Sequence, residues 1–288
     1  MTIVAPQIDE DVFVELFELA ASAPWTERKS RALVELWNLY NTVQERDLLK
    51  LLIQRFRIIN DSDIEDLSAQ IAGKFDSWGL DPTTTMLAAT ADKGEVDGSV
   101  MGLQSLKVHL RPELGWSEKN LSSSMFSEVH NRKDGDSLII FDDFIGSGKT
   151  IRKKLKWVED KLDEIGTKLG KLAVVGFVAM GEAYKDLEVE LTKKGIEIYC
   201  PLLLSRGISD HHDAAEAAEL KNLMTQMESL LQAKVRGLRL ADHSLGYRSS
   251  ETLMSMGGTN CPNNVFPIFW WPELDDNEPR NTMFRRLR

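Results

Sequence analysis

The chain has 288 residues, with 35 Lys and Arg against 45 Asp and Glu, and a formal charge of −10. This length supports a large apolar core, and two cysteines, Cys200 and Cys261, exclude a disulfide scaffold and a Cys-x-x-Cys zinc site. The acidic total argues against broad nucleic-acid binding, although a local positive field can still hold a small anion. We expect a cytoplasmic protein, because the sequence has neither an apolar run of about 18 residues nor a signal-peptide pattern.

The first 80 residues are predicted to be helical. Apolar residues recur at helical spacing from Val12, from Leu33 and from Leu48, and Pro24 and Asn60 mark breaks between helices. A further helix is expected after Asn60, with its apolar face running to residue 75. We therefore expect residues 1–80 to form a helical accessory region, which could offer a surface to partner proteins.

From residue 82 onward, short apolar runs alternate with amphipathic segments. Strands are predicted over 84–90, 137–143, 171–180 and 196–204, and helices over 100–110, 150–165, 183–194 and 213–234. This alternation predicts an α/β fold with a mostly parallel twisted sheet, flanking helices and a ligand site at the carboxyl ends of the strands. We expect this domain to cover residues 81–288, with an extension rich in Asn and aromatic residues from residue 246.

One strand–turn–helix segment carries the clearest chemistry. Four apolar residues, 138–141, predict a buried strand that Asp142 and Asp143 end. A small-residue turn then opens a helix, with the sequence Ile145, Gly146, Ser147, Gly148, Lys149, Thr150. Such a turn can direct backbone N–H groups, two hydroxyls and the helix N-terminus at one phosphate.

Two other interpretations of this segment stay open. A Walker A loop would need glycine where Asp143 stands, and the carboxylates would then face nucleotide phosphates, so the NTPase hypothesis is the weaker one. A plain strand–turn–helix with capping acids is the other alternative. It is disfavoured because two consecutive acids are costly at the end of a buried strand unless they are used.

The segment resembles the phosphoribosyl pyrophosphate (PRPP) motif of type I phosphoribosyltransferases. It departs from the usual pattern at Phe144, which is bulkier than an aliphatic residue, and at Gly146, which replaces a hydroxyl residue. The resemblance implies that the turn holds the 5-phosphate, that Asp142 and Asp143 bind the ribose hydroxyls, and that a nucleophile attacks C1 with loss of pyrophosphate. It also implies Mg²⁺ held largely by substrate oxygens and water, without a dedicated protein cage.

The same family binds pyrophosphate on a loop after an earlier strand, commonly with Lys-Gly. Here Asp92, Lys93 and Gly94 follow the predicted strand 84–90, about 50 residues upstream of Asp142. The resemblance implies a catalytic charge at Lys93 and substrate contacts from Asp92 and Gly94. It also places a flexible hood over 107–133, whose basic residues are His109, Arg111, Lys119, His130 and Arg132.

The C-terminal region resembles the signature of bacterial phosphoribosyltransferase-like proteins associated with conflict and defence genes. The matching string runs from Thr259 to Trp270 and departs from the pattern by inserting Cys261. Asn263, Asn264 and Trp270 are candidates for an acceptor or nucleobase pocket, because amides read base edges and aromatics stack on bases. The equally weighted alternative is that the aromatics close the open side of the sheet while the asparagines satisfy turns.

The resemblance implies a PRPP-dependent transferase that acts in antiphage defence, or a module that senses PRPP or a nucleotide without turnover. Asp210-His211-His212-Asp213 is interpreted as a helix N-cap with two exposed imidazoles, and no metal site is predicted. The basic tail residues Arg280, Arg285, Arg286 and Arg288 are expected to be solvated, and nucleic acid would be reached only through them or through a partner. The sequence leaves the oligomeric state and the acceptor open.

Overall fold

A computed structural model describes residues 9–92, 98–257 and 260–287. By its contacts the chain divides into two compact units. We call Met1–Ile58 with Arg206–Arg288 the helical unit, and Ile59–Ser205 the α/β unit. This division differs from the boundary expected at residue 80, because the helix after Asn60 belongs to the α/β unit and the C-terminal residues belong with the first helices.

Three helices come first in the described part of the chain, and strands and helices follow in mixed order. The helices are α1 (Glu10–Ser22), α2 (Ser30–Asn38), α3 (Val43–Arg55), α4 (Asp61–Ser77), α5 (Gly98–Lys107), α6 (Met125–Val129), α7 (Lys149–Ile165), α8 (Gly181–Thr192) and α9 (Ala214–Glu228). The strands are β1 (Arg57–Ile59), β2 (Thr85–Ala89), β3 (Leu121–Ser122), β4 (Ser137–Ile145), β5 (Lys171–Met180), β6 (Glu197–Tyr199), β7 (Leu202–Leu204), β8 (Lys234–Val235), β9 (Leu238–Arg239) and β10 (Met254–Met256). No helix among the described residues is both long and apolar enough to cross a membrane.

The α/β unit is built on one parallel sheet. Its strand order is β3-β2-β4-β5-β6, with β7 also pairing with β5, and each of these pairs is parallel. Alternate residues of β4 point to opposite faces, so Leu138 and Ile140 share a core with Ile151 and Leu155 of α7. The mostly parallel sheet with flanking helices confirms the predicted fold class.

Two predicted strands differ from the observed ones. The structure extends β4 through both acids to Ile145, because β5 continues beside it and Ile145 pairs with Ala179. The prediction that the acids end the strand is therefore wrong where β4 pairs with β5. On its other side, β4 pairs with β2 only as far as Phe141, which lies opposite Ala89, the last residue of β2. The predicted strand 196–204 is two short strands, since Pro201 between them has no N–H to donate to a ladder.

The helical unit has its own core, to which the C-terminal region contributes its aromatic residues. Leu36 and Trp37 of α2 share this core with Met227 of α9, Phe269 and Trp271, and all five are buried. The aromatic tail therefore packs in the core of the helical unit, a role that the sequence interpretation did not give it. The predicted helix 213–234 is shorter than expected, ends at Glu228 and leaves Leu230 37% exposed.

Candidate functional site

The turn between β4 and α7 has the geometry of an anion cradle. Gly148 has a φ of +71°, a left-handed conformation that favours glycine, and it immediately precedes the 17-residue helix α7. Among the described residues no side chain caps α7, and its first turn contains no acidic residue. The first backbone N–H groups of α7 and the positive end of its dipole are therefore suited to a phosphate.

The turn is supported by Arg152, one turn into α7. Its guanidinium donates to the Ser147 carbonyl over 3.3 Å, and its Nε donates to Glu190 Oε2 of α8 over 2.7 Å. A β-carbon at Gly148 would lie 3.0 Å from both Arg152 Nη1 and a Leu187 methyl carbon. The backbone conformation therefore favours glycine here, and a β-carbon would require the Arg152 or Leu187 side chain to shift by a few tenths of an ångström.

Asp142 is a buried carboxylate at the edge of the sheet where β2 has ended. Its Oδ1 accepts a hydrogen bond from Thr90 Oγ1 over 3.1 Å, and the Thr90 backbone N–H donates to the Phe141 carbonyl over 3.0 Å. Cys200 is buried nearby, and burial, followed by the charge of Asp142, raises the pKa of its thiol. Gly176 lies opposite on β5, and a β-carbon there would come within 3.0 Å of the Asp142 carbonyl oxygen.

Asp143 has a different environment from Asp142. As the next residue of the same strand it points to the other sheet face, and it is half-buried. A β-carbon at Gly98, the first residue of α5, would lie only 1.9 Å from Asp143 Oδ2. The Asp143 carboxylate is therefore packed directly against the start of α5, so the two acids are not equivalent.

The described residues on both sides of the 93–97 interval contact the β4–α7 motif. Before it, Asp92 forms an ion pair with Lys154 of α7, and after it Gly98 meets Asp143. The Ala91 backbone N–H also donates to Ser99 Oγ over 3.2 Å. The described ends of the segment after β2 thus lie against the β4–α7 motif, while Lys93 and Gly94 lie outside the described residues. That the two segments form one ligand site stays a prediction.

The segment expected to form a hood contains β3 and α6. Arg111 forms an ion pair with Asp76, and Arg132 lies between Glu128, at 3.6 Å, and Asp136, at 3.7 Å. His109 is half-buried and Lys119 is exposed, and a ring nitrogen of His130 lies 3.2 Å from the Phe126 carbonyl oxygen. A contact between pyrophosphate and one of these basic residues stays a prediction, and the residue that would make it stays open.

The candidate acceptor residues of the tail belong to the helical unit. Asn264 is buried, with its Nδ2 donating to the Tyr247 carbonyl over 3.3 Å and to Ser250 Oγ over 3.1 Å. Trp270 is also buried, and its Nε1 donates to the Val265 carbonyl over 2.8 Å. Asn263 is half-buried and accepts from the Tyr247 N–H through its carbonyl. These are the contacts of a packed core, and an acceptor pocket at these residues stays a prediction.

Two expectations about histidines and basic residues are corrected. His211 is exposed, but His212 is largely covered, with Nδ1 2.9 Å from Glu216 Oε2 and Nε2 3.3 Å from an Arg55 nitrogen. Asp213 caps α9 as expected. Arg280 and Arg286 are not solvated tail residues.

Both of these arginines bind backbone carbonyls inside the helical unit. Arg280 donates to Ile268 and Arg286 donates to Cys261, and each side chain is half-buried. Arg285 is exposed, and Arg288 lies outside the described residues. Backbone carbonyls along an irregular chain attract guanidinium groups, which sequence periodicity cannot reveal.

Among the residues that the structure describes, no group of three or more His, Cys, Asp or Glu side chains could hold a metal ion. Magnesium held through substrate oxygens and water stays a prediction.

Sequence reasoning missed three residues of the site: Thr90, Gly98 and Lys154. Thr90 carried no signal beyond its place at the end of a predicted strand. Lys154 did carry a signal in the sequence. It lies on the helical face that also bears Ile151, Leu155 and Val158, and a lysine interrupts this apolar face.

Three comparisons place the chain among known proteins. The family model PRTase-CE matches residues 40–286, and a search of the curated proteins found no match. One similar solved structure is a hypothetical protein from Neisseria gonorrhoeae with bound ppGpp, with 14% identity and a TM-score of 0.37 over 58% of this chain and 97% of that one. Another is an orotate phosphoribosyltransferase from Aeropyrum pernix, with 16% identity and a TM-score of 0.30 over 49% of this chain and 69% of that one.

Proposed function

This chain belongs to the PRTase-CE family, and we propose that it binds PRPP, or a ribose 5-phosphate nucleotide, and transfers the phosphoribosyl group to an acceptor. The observation that carries this proposal is the strand–turn–helix in which buried Asp142 precedes the Gly148 turn and the uncapped start of α7. The phosphoribosyltransferase-like family and fold agree with the resemblance of the motif, and the ligand and reaction are our proposal.

The 5-phosphate would lie at the turn over 145–150. The first N–H groups of α7, the Ser147 and Thr150 hydroxyls and the exposed Lys149 would surround it. Ile145, the last residue of β4, and Gly146 would form the β4 side of the turn. A dianion at this place would compensate the positive end of the α7 dipole, where no side-chain cap is present among the described residues. Arg152 keeps the Ser147 carbonyl turned away from the phosphate, because it holds that carbonyl in a hydrogen bond.

The ribose hydroxyls would donate to Asp142 and Asp143. Hydrogen bonds to an ionised acceptor are about twice as strong as neutral ones, so these contacts would fix the ring over the sheet edge. Thr90 already occupies one oxygen of Asp142, which orients the carboxylate before ligand binds. Asp143 would have to bind its hydroxyl beside Gly98, where a larger residue cannot fit.

In the proposed reaction a lone pair of the acceptor, usually a ring nitrogen, forms a bond to C1. The C1–O bond breaks, its electron pair leaves with pyrophosphate, and any proton on the attacking atom passes to water. The carboxylates would lie near the positive charge that develops on the ribose, and Lys93 would offset the leaving charge. Mg²⁺, when bound through substrate oxygens, would supply further charge neutralisation on pyrophosphate.

Pyrophosphate release from PRPP tests the enzymatic part of the proposal. The wild-type chain with Mg²⁺, PRPP and a panel of bases, nucleotides and nucleic acids should release pyrophosphate with one acceptor, and the Asp142→Asn, Asp143→Asn double variant should not. Asp160→Asn is a matched control, since Asp160 lies on the exposed side of α7 in an ion pair with Lys156. Equal release by wild type and double variant would exclude this site.

A sensing module is the second candidate function. The observation that favours it is that both carboxylates are already engaged, Asp142 by Thr90 and Asp143 against Gly98, as in a site built to hold a ligand in one pose. Tight binding of PRPP or a nucleotide without release of pyrophosphate across the same panel would support it. The P-loop NTPase is disfavoured because Asp143 stands where that loop needs glycine, and absence of ATP hydrolysis would dispose of it.

We further propose that the chain acts in the cytoplasm as an effector in antiphage defence, with partner proteins bound through its N-terminal helices. This proposal depends on the resemblance of the tail. Plating of phage on cells that express the chain tests it. Protection should disappear with the Asp142→Asn, Asp143→Asn double variant, and equal protection by both would contradict a defence role for this site.

A further inference from the structure

Lys154 is a buried cation on α7, one turn beyond the phosphate turn. Its side chain is only 6% exposed, and its Nζ forms an ion pair with Asp92, whose side chain is 51% exposed. The same Nζ lies 4.7 Å from the centre of the Phe126 ring, which belongs to α6. One lysine therefore contacts the segment after β2 and α6 from its place on α7.

This arrangement needs a physical reason, because an ammonium group is expensive to bury unless it is paired. Ile151, Leu155 and Val158 around it on α7 are apolar and buried, so an apolar residue at 154 would fit the core pattern. What the charge adds is a fixed position for Asp92, three residues after the end of β2. Phe126 is held from a second side, since its ring also packs edge-on against Trp157 at 4.4 Å.

We propose that Lys154 is a positioning residue for the pyrophosphate end of the ligand. It acts through Asp92, holding the chain after β2 against the helix whose N-terminus receives the 5-phosphate. The inference rests on the proposed function and assigns the two ends of the ligand to different segments of the site. The 5-phosphate and ribose contacts belong to the β4–α7 motif and do not require the ion pair, whereas contacts from the β2 side do.

Calorimetric titration of three ligands separates these roles: PRPP with Mg²⁺, pyrophosphate with Mg²⁺, and ribose 5-phosphate. Lys154→Met should weaken binding of PRPP and pyrophosphate by about 10- to 100-fold, the range that small misplacements in a site produce. Ribose 5-phosphate should bind as to the wild type, because its contacts are intact. Lys154→Arg, which keeps the charge, should recover part of the loss.

Lys156→Met is the matched control. Lys156 is two residues away on α7 and also forms an ion pair, with Asp160 at 3.0 Å, but both side chains are exposed. All three ligands should bind this variant as they bind the wild type. If Lys154→Met does not fold, the Asp92→Asn, Lys154→Met double variant replaces it, because that variant leaves neither a buried cation nor its carboxylate partner.

The outcomes distinguish this inference from the proposed function. A folded Lys154→Met chain that binds PRPP as tightly as the wild type overturns the inference and leaves the proposed function standing. Equal losses for PRPP and ribose 5-phosphate also overturn it, since they indicate general damage to α7. A wild-type chain that binds none of the three ligands overturns the proposed function and this inference together.

Discussion

The two units of this chain hold their shape in different ways. In the α/β unit, every described residue with a left-handed φ is a glycine, and the strands pair in regular parallel register. In the helical unit, six described non-glycine residues adopt left-handed φ angles: Arg236, Leu245, Arg248, Ser249, Glu251 and Asn277. Such backbone costs free energy and persists only where surrounding contacts over-determine it.

This difference shows where backbone strain is concentrated. In the α/β unit a regular sheet brings two acids and the turn over 145–150 to the carboxyl ends of its strands, and glycine occupies the positions where the chain is left-handed. In the helical unit, buried acids compensate the irregular backbone. Glu251 accepts from the backbone N–H groups of Ile208 and Ser209, and Glu228 accepts from Ser244 and Leu245.

The largest expected effect on stability tests whether the aromatic tail is part of the core of the helical unit. Trp271→Ala should lower the free energy of unfolding by about 3–5 kcal/mol, because the side chain is fully buried and its Nε1 donates to the Gln232 carbonyl over 2.9 Å. Urea denaturation followed by circular dichroism measures this loss.

Leu287→Ala is the control in the same tail, since Leu287 is 73% exposed. It should change stability by less than about 0.5 kcal/mol. Similar small effects for both variants would mean that the aromatic tail is a surface extension, and the comparison between the units would fail.

The next effect depends on pH and concerns Glu228. Burial raises the pKa of this carboxyl to about 7, against the lowering effect of its hydrogen bonds from Ser244 and Leu245. Because the folded chain holds this proton more tightly than the unfolded chain, the stabilisation is fully present below pH 4.5 and is lost as pH rises through about 7. The loss amounts to about 3 kcal/mol by pH 8.

Glu228→Gln should remove that pH dependence, so the stability difference between variant and wild type should grow in favour of the variant from pH 5 to pH 8. Urea denaturation at both pH values measures it. Glu219→Gln, an exposed change on the same helix, should leave the wild-type pH profile unaltered. Parallel pH profiles for wild type and Glu228→Gln would contradict the burial of an ionisable group here.

The smallest effect on stability compares two left-handed glycines at the two ends of α7. Gly148→Ala and Gly166→Ala should each cost about 1–2 kcal/mol, because their φ angles are +71° and +69°. Gly148→Ala should also lose affinity for PRPP, since the turn must deform, whereas Gly166→Ala should bind normally. Equal affinities in the two variants would remove the turn from the site.

The sequence predicted the regular unit well and the irregular unit poorly. Strand β5 matches its predicted range because alternation and burial are local properties, and the acids, the turn and α7 follow from one continuous segment. The ion pair between Asp92 and Lys154 joins residues 62 positions apart, and only the fold brings them together. Arg280 and Arg286 are half-buried and donate to carbonyls of non-repetitive backbone, and the buried acids Glu228 and Glu251 accept from its N–H groups. Such contacts follow no periodic pattern in the sequence.

The most direct test of the central claim is calorimetric titration of PRPP with Mg²⁺ into the wild-type chain and into the Asp142→Asn, Asp143→Asn double variant. We expect saturable one-site binding to the wild type and affinity at least about 100-fold lower in the variant, because two charge-assisted hydrogen bonds to the ribose are lost. Unchanged affinity in a folded double variant would contradict the assignment of this site.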